Sequence, residues 1–287
     1  MLISRYQLWV PPAVGVGPGL HGCLFMISPR PFSSKVISAF ALVLIANIRS
    51  LPAQSLIVGI PNAEATPKGA WFFTHESQIE AGQRRAWNTF QFLTYGAGHL
   101  AKGLLPGGVD TEIALSFVNF GRPSTGNRTI AAGFKSVYEL PSTVGKRWQA
   151  RGTLGVFVPV SLDGQGAGSW VFSSGSVRLP TLATRLTVGP TYGTPQLFGK
   201  EKFGMMAGIE QPLGGWFRRR VSLVADWYSG RHDLASAIPA VQFNLPREYI
   251  FIAGYKIPNR GAATNPALVL EVAGILARPR GRGAHAH

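Results

Sequence analysis

From about residue 69 onward the sequence repeats one pattern: apolar side chains alternate with small or polar ones over 10 to 14 residues, then turn-forming residues intervene. Successive side chains of a strand point to opposite faces, so a period of two marks a strand with two different environments. In 109–120, Val109, Thr111, Ile113, Leu115 and Phe117 share one face, and Asp110, Glu112, Ala114 and Ser116 the other. In 130–140, Ile130, Ala132, Phe134, Ser136, Tyr138 and Leu140 oppose Gly133, Lys135 and Glu139. The stretch 149–162 sets Leu154, Val156, Val158, Val160 and Leu162 against Arg151, Thr153, Gly155 and Ser161. The same alternation places Arg185, Asp226, Lys256 and Glu271 opposite the apolar rows of 184–194, 221–229, 249–257 and 268–274. Segments at 70–78, 88–96, 169–179, 202–212 and 236–245 follow it less cleanly, which brings the total to twelve. Helical periodicity of comparable length is absent from the sequence.

What surrounds such strands follows from charge. Charged residues make up 14% of the 287-residue chain and apolar ones 46%, whereas a soluble domain carries roughly 25% charge. No uncharged apolar run reaches the roughly 18 to 20 residues of a spanning helix, but a spanning strand needs only about 9 to 11. The expected fold is therefore all-β, a closed antiparallel transmembrane β-barrel of about twelve strands occupying 54–276. An even-stranded barrel keeps both ends at the periplasmic side, where connections are short. The two tightest connections, at Pro180-Thr181 and Pro246-Arg247, are the sixth and the tenth, although the second, 97–108, is longer. Trp71, Trp87, Trp148, Trp170, Trp216 and Trp227 stand at segment ends and are expected to form an aromatic girdle at the two rims. A soluble β-sandwich or lipocalin-like barrel also alternates. Its exposed face would carry Lys, Glu and Thr, whereas the less apolar face here is Gly, Ala, Ser and Thr with isolated charges.

Ahead of the strands, 26–53 reads as a cleaved export signal: Met26, the positive Arg30 and Lys35, the apolar stretch 36–48, then Leu51-Pro52-Ala53. On that reading translation starts at Met26, and 1–25 is an over-extended N-terminus. Residues 277–287 read as a basic, disordered tail. The net charge of +15 is dispersed or terminal, with no Lys/Arg run longer than Arg218-Arg219-Arg220, so nucleic acid is not an expected partner. The single Cys23 excludes an intramolecular disulfide and a cysteine zinc site. It follows Leu20-His21-Gly22, a faint echo of a lipoprotein box behind a poor, proline-containing apolar segment.

Three stretches carry a resemblance: Arg178-Leu179-Pro180 through Thr191-Tyr192-Gly193-Thr194, Asp226-Trp227-Tyr228-Ser229-Gly230, and Gly254-Tyr255-Lys256-Ile257-Pro258-Asn259. They resemble bacterial outer-membrane β-barrel proteins, among them barrel transporters of unassigned substrate. The resemblance covers 56–276 and implies outer-membrane insertion and passive transport, with no catalytic residues to carry over. Such barrels end in an aromatic residue read by the assembly machinery; here the last strand continues past Leu276 into the tail.

Chemistry is sparse in the sequence. His75-Glu76-Ser77 and His232-Asp233 are the pairs from which an acyl hydrolase on a barrel wall could be built, but no Gly-x-Ser-x-Gly elbow occurs and no enzyme is expected. Gly17-x-Gly19-x-x-Gly22 matches a dinucleotide fingerprint in letters only. His285 and His287 lack further ligands for a metal, and no cofactor or metal is expected. The inward charges are Asp110, Glu112, Lys135, Glu139, Arg151, Arg185, Glu210, Asp226, Lys256 and Glu271, six acids and four bases. They would either line a small channel or pair into a core that closes it. The leading expectation is an outer-membrane pore or transporter for a small solute, in contact with outer-membrane lipid and the barrel assembly machinery. A structural or adhesive barrel with a closed lumen is the alternative, and a barrel-embedded lipid hydrolase the third.

Overall fold

A sheet whose strands each carry an apolar row and a mixed row can satisfy both by curling until the mixed row is enclosed. The computed structural model shows that outcome. Twelve antiparallel strands follow one another: β1 (Trp71–Glu80), β2 (Trp87–Leu100), β3 (Val109–Val118), β4 (Thr129–Glu139), β5 (Arg151–Ser161), β6 (Trp170–Arg178), β7 (Arg185–Gly193), β8 (Phe203–Pro212), β9 (Val221–Tyr228), β10 (Ser236–Asn244), β11 (Tyr249–Pro258) and β12 (Ala267–Ala277). Each pairs with its sequence neighbours, and β1 pairs with β12 to close the ring.

The structure describes residues 58–278 except 82–85, 101–104, 106–107, 121–125, 142–146, 215–216 and 218–219. The chain divides into two units, 1–43 and 44–287, and every described residue belongs to the second. The expected signal peptide, the expected over-extended start with its Gly17 and Cys23 motifs, the histidines of the tail and Trp216 lie outside the described residues. Of the expected tail, Ala277 is the last residue of β12, and the Arg278 guanidinium meets the Glu248 carboxylate at 2.6 Å.

With an even number of strands, the start of β1 and the end of β12 share one rim, here called proximal; the odd-numbered connections lie at the opposite, distal rim. The sixth and tenth connections are at the proximal rim as expected, but the first, 81–86, is as short as the sixth, 179–184. Connection length alone therefore does not distinguish the rims.

The outer face is apolar around the ring. Ile113, Leu154, Val188 and Phe203 are 53, 54, 56 and 76% exposed. Outward polar groups pair with each other: Thr111 and Ser136 are cross-strand partners, with hydroxyl oxygens 2.9 Å apart.

Inside, residues 58–66 lie ahead of β1 and occupy part of the ring's interior; the sequence reading gave them no structure. Val58 and Ile60 are fully buried and pack with inward side chains including Phe72, Phe172, Met206, Ile238, Ile252 and Val269. Burying an aliphatic side chain of this size contributes about 1.5–3 kcal/mol, so this segment brings its own anchoring core. Within this core Phe172 lies over inward Gly155, where a Cβ would sit 2.2 Å from the ring. The small inward residue makes room for a large neighbour.

The chain leaves the interior through a tight passage. Lys68 bridges Gly96, and Gly96 accepts from Gly69 N–H at 2.7 Å while donating to Ala70 C=O at 3.0 Å. Strand β2 shifts register between Gly96 and Gly98 to admit this crossing. A Cβ on Gly96 would lie 2.1 Å from the Pro67 carbonyl oxygen, so backbone and not a movable side chain blocks it. Gly96→Val is expected to displace the passage and cost about 1–3 kcal/mol, read as a lower denaturation midpoint on heat-modifiable gel migration; unchanged stability would show that the passage has slack.

Candidate functional site

The site is the interior surface together with the segment it holds. Backbone N–H groups removed from water require acceptors, and the segment's first described residues find one in Asp226. The N–H groups of Val58, Gly59 and Ile60 all donate to Asp226 Oδ2, at 2.8, 2.5 and 3.0 Å. Tyr228, two residues on and on the same inward row, donates its hydroxyl to Gly59 C=O at 3.1 Å. Period-two geometry in β9 thus presents an acceptor and a donor to one stretch of backbone.

A second group of contacts holds the other end, nearer the proximal rim. Glu112 Oε2 accepts from Thr66 N–H at 2.7 Å and from the Thr66 hydroxyl at 2.9 Å. Its other oxygen meets Lys135 Nζ at 3.2 Å, both side chains 2% exposed, and Lys135 donates to Glu64 C=O at 2.5 Å. Arg151 donates to Ala63 C=O at 3.2 Å, and its guanidinium lies 3.6 Å from the Glu64 carboxylate. Arg185 also pairs with Glu64 through a direct hydrogen bond. Glu64, absent from the sequence-level candidates, is therefore the acid on which two wall arginines converge.

The ten expected lumen charges divide accordingly. Asp226, Glu112, Lys135, Arg151 and Arg185 touch the segment. Glu139 pairs with Arg151 at 3.2 Å near the proximal rim, and Glu210 stands directly opposite Arg185 in the sheet. Lys256 donates to Gln78 and Thr264 at 2.6 and 2.9 Å. Glu271, 1% exposed, faces Glu76 across the β1–β12 pair. Asp110 is half exposed at the proximal rim and 3.0 Å from His99 Nδ1. Arg178, not among the expected residues, is also inward and directly opposite Arg185.

The tryptophans also divide. Trp71 packs against Tyr95 with ring centroids 5.0 Å apart and planes tilted at 45° on the proximal rim, and Trp148 is exposed in the fourth connection. Trp87 and Trp227 stand at the distal ends of β2 and β9. Trp170 departs from the girdle: it turns inward, 5.0 Å from Phe172 and 5.8 Å from Phe157, and its indole N–H donates to Thr191 at 2.6 Å. Its place in the alternation of β6, shared with Phe172 and Ser174, fixes that direction. Tyr192 and Phe203, 5.0 Å apart at the distal rim, are aromatic partners that a tryptophan count overlooks.

The two histidine pairs have bland geometry. His75 Nε2 lies 3.2 Å from Ser77 Oγ and Nδ1 3.2 Å from the Gln91 amide, all on the outer row, while Glu76 points inward. Both edges of β1 pair with neighbours there, which leaves no backbone N–H to hold an oxyanion. The cluster is a polar contact on the wall in which His75 joins Ser77 and Gln91. His232 stacks on Phe198 at 4.1 Å; burial lowers its pKa from the ordinary histidine value, and its Nδ1 accepts from Leu234 N–H. Among the described residues no group of His, Cys, Asp or Glu could hold a metal.

No protein-family model matches the sequence, and no curated protein matches it. Among solved structures the chain is similar to an outer membrane channel from Pseudomonas putida F1, at 12% identity and a TM-score of 0.47, over 75% of this chain and 98% of that one.

The Glu112–Lys135 pair makes the clamp testable. Removing one partner of a buried pair leaves the other charge uncompensated, at about 3–5 kcal/mol, whereas neutralising both is far cheaper. Lys135→Met alone should therefore lower the unfolding midpoint more than the double substitution Glu112→Gln/Lys135→Met. Equal losses would show that the pair is not coupled.

Proposed function

We propose that this chain is a bacterial outer-membrane β-barrel that passively admits a small solute through a lumen narrowed by its own residues 58–66. The observation that carries the reading is a closed ring with an apolar exterior around an interior that is polar along one side. Thr153 and Ser174 stand opposite each other on β5 and β6, both buried, and their hydroxyl oxygens have no protein partner. Buried hydroxyls of that kind suit a hydrated passage. Around the exterior, side chains such as Leu154 and Val188 match hydrocarbon, and aromatic residues at both rims match the lipid interfaces. Lipid and the barrel assembly machinery are then the partners, reached by export through a cleaved signal at 26–53.

A closed structural barrel is the second reading, favoured by the packing of Val58 and Ile60 into the interior. Conductance separates the two. Wild-type protein in planar bilayers should give small, steady channels. Asp226→Ala, which removes the acceptor of three amides, should raise conductance roughly tenfold, the factor that about 1.4 kcal/mol of released anchoring supplies. Correctly folded wild-type and variant proteins that both fail to conduct would exclude the pore.

A further inference from the structure

The contacts of Glu64 carry more than anchoring. Its carboxylate is the one side-chain charge that the segment presents to a cluster of wall arginines. Arg151 and Arg185 reach it directly, and Arg178 is the third member of the cluster. Arg178 and Arg185 are directly opposite one another on β6 and β7, a like-charged arrangement that is unfavourable unless an anion lies between or beside them. The Arg178 Nε is buried without a hydrogen-bond partner, and Glu210 and Glu64 are the acids within its electrostatic reach. With Glu64 in place, three arginines (Arg151, Arg178, Arg185) are offset by Glu64, Glu139 and Glu210. Without it, the wall keeps three guanidinium groups and two carboxylates.

Resting on the channel reading above, we infer that Arg151, Arg178 and Arg185 form a binding site for a small carboxylate solute, and that Glu64 fills it as a tethered internal ligand. Guanidinium groups are suited to planar carboxylates because their fixed N–H donors match both oxygens. Glu64 approaches from the segment, which lies outside the sheet's hydrogen-bond ladder, while all three arginines belong to the paired wall. An incoming carboxylate therefore competes for donors that stay in place and displaces the acid that does not. Displacement releases the carboxylate's own ties to Arg151 and Arg185, while the Arg151 bond to the Ala63 carbonyl stays in place.

The test uses full-length protein, with succinate and acetate as probes. A competitor that leaves one site in ten free weakens apparent affinity about tenfold, and its loss restores that factor. Glu64→Gln should thus respond to succinate at about tenfold lower concentration than wild type, by a rise in thermal unfolding midpoint and by block of chloride current. Glu64→Asp, which keeps the charge, should stay near wild type, and Glu64→Gln/Arg185→Gln should lose the response. Heat-modifiable migration verifies that each variant is folded, and the wild type alone still reports the weaker response if a variant is not. Conducting wild type and Glu64→Gln proteins that succinate affects equally, or not at all, would overturn the inference and leave the pore standing. A succinate response that survives loss of Arg185 would also overturn it, because the binding then lies elsewhere. A succinate response of the expected pattern in proteins that do not conduct would keep the carboxylate site and remove the pore.

Discussion

The interior depends on how the backbone of residues 58–66 is satisfied once it leaves water. A strand in the wall has neighbours on both sides for its amides and carbonyls, whereas a single segment inside the ring has none. Its hydrogen bonds must come from side chains, and each such side chain must be ionic or strongly polar and aimed inward. Asp226 supplies the acceptor at one end, and Glu112, Lys135 and Arg151 supply both kinds of partner at the other. The inward charges therefore exist in part because a segment lies among them. The outer face has no such demand and stays apolar.

This explains which parts of the protein could be read from sequence. Alternation over 109–120 or 149–162 reports the wall directly, since each strand's two environments are written into its own residues. Turns around Pro180 and Pro246 and the odd or even place of each segment give topology with little more. Trp170 shows the limit of that method. Its position at a strand end fits a girdle, but its parity in β6 turns it inward, and parity decides because the pleat is rigid.

The segment was illegible for a different reason. Residues 58–66 include Gly59 and Pro61, lack alternation and make almost no local hydrogen bonds, so nothing in them announces a fold. Their partners lie more than a hundred residues away for Asp226 and Arg185. A trace does remain in the wall: Asp226 has Gly208 and Ile238 as cross-strand neighbours, and neither offers a side-chain donor. An inward acid without a donor beside it points to a partner from outside the sheet. Arg178 facing Arg185 is the complementary trace, readable only once register is known, and it points to Glu64 on the same segment.

The passage at Gly96 also bears on assembly. Residues 58–66 precede β1, and the ring shuts only where β1 meets β12, the pairing most distant in sequence. If that seam formed first, residues 58–66 would have to enter a finished cylinder past a backbone contact with no room for a single methyl group. Gathering the wall around the segment requires no threading at all. The order of events is thereby biased toward a β-sheet that curls around an occupied interior and seals last, so the occupant serves as the mandrel on which the cylinder is wound.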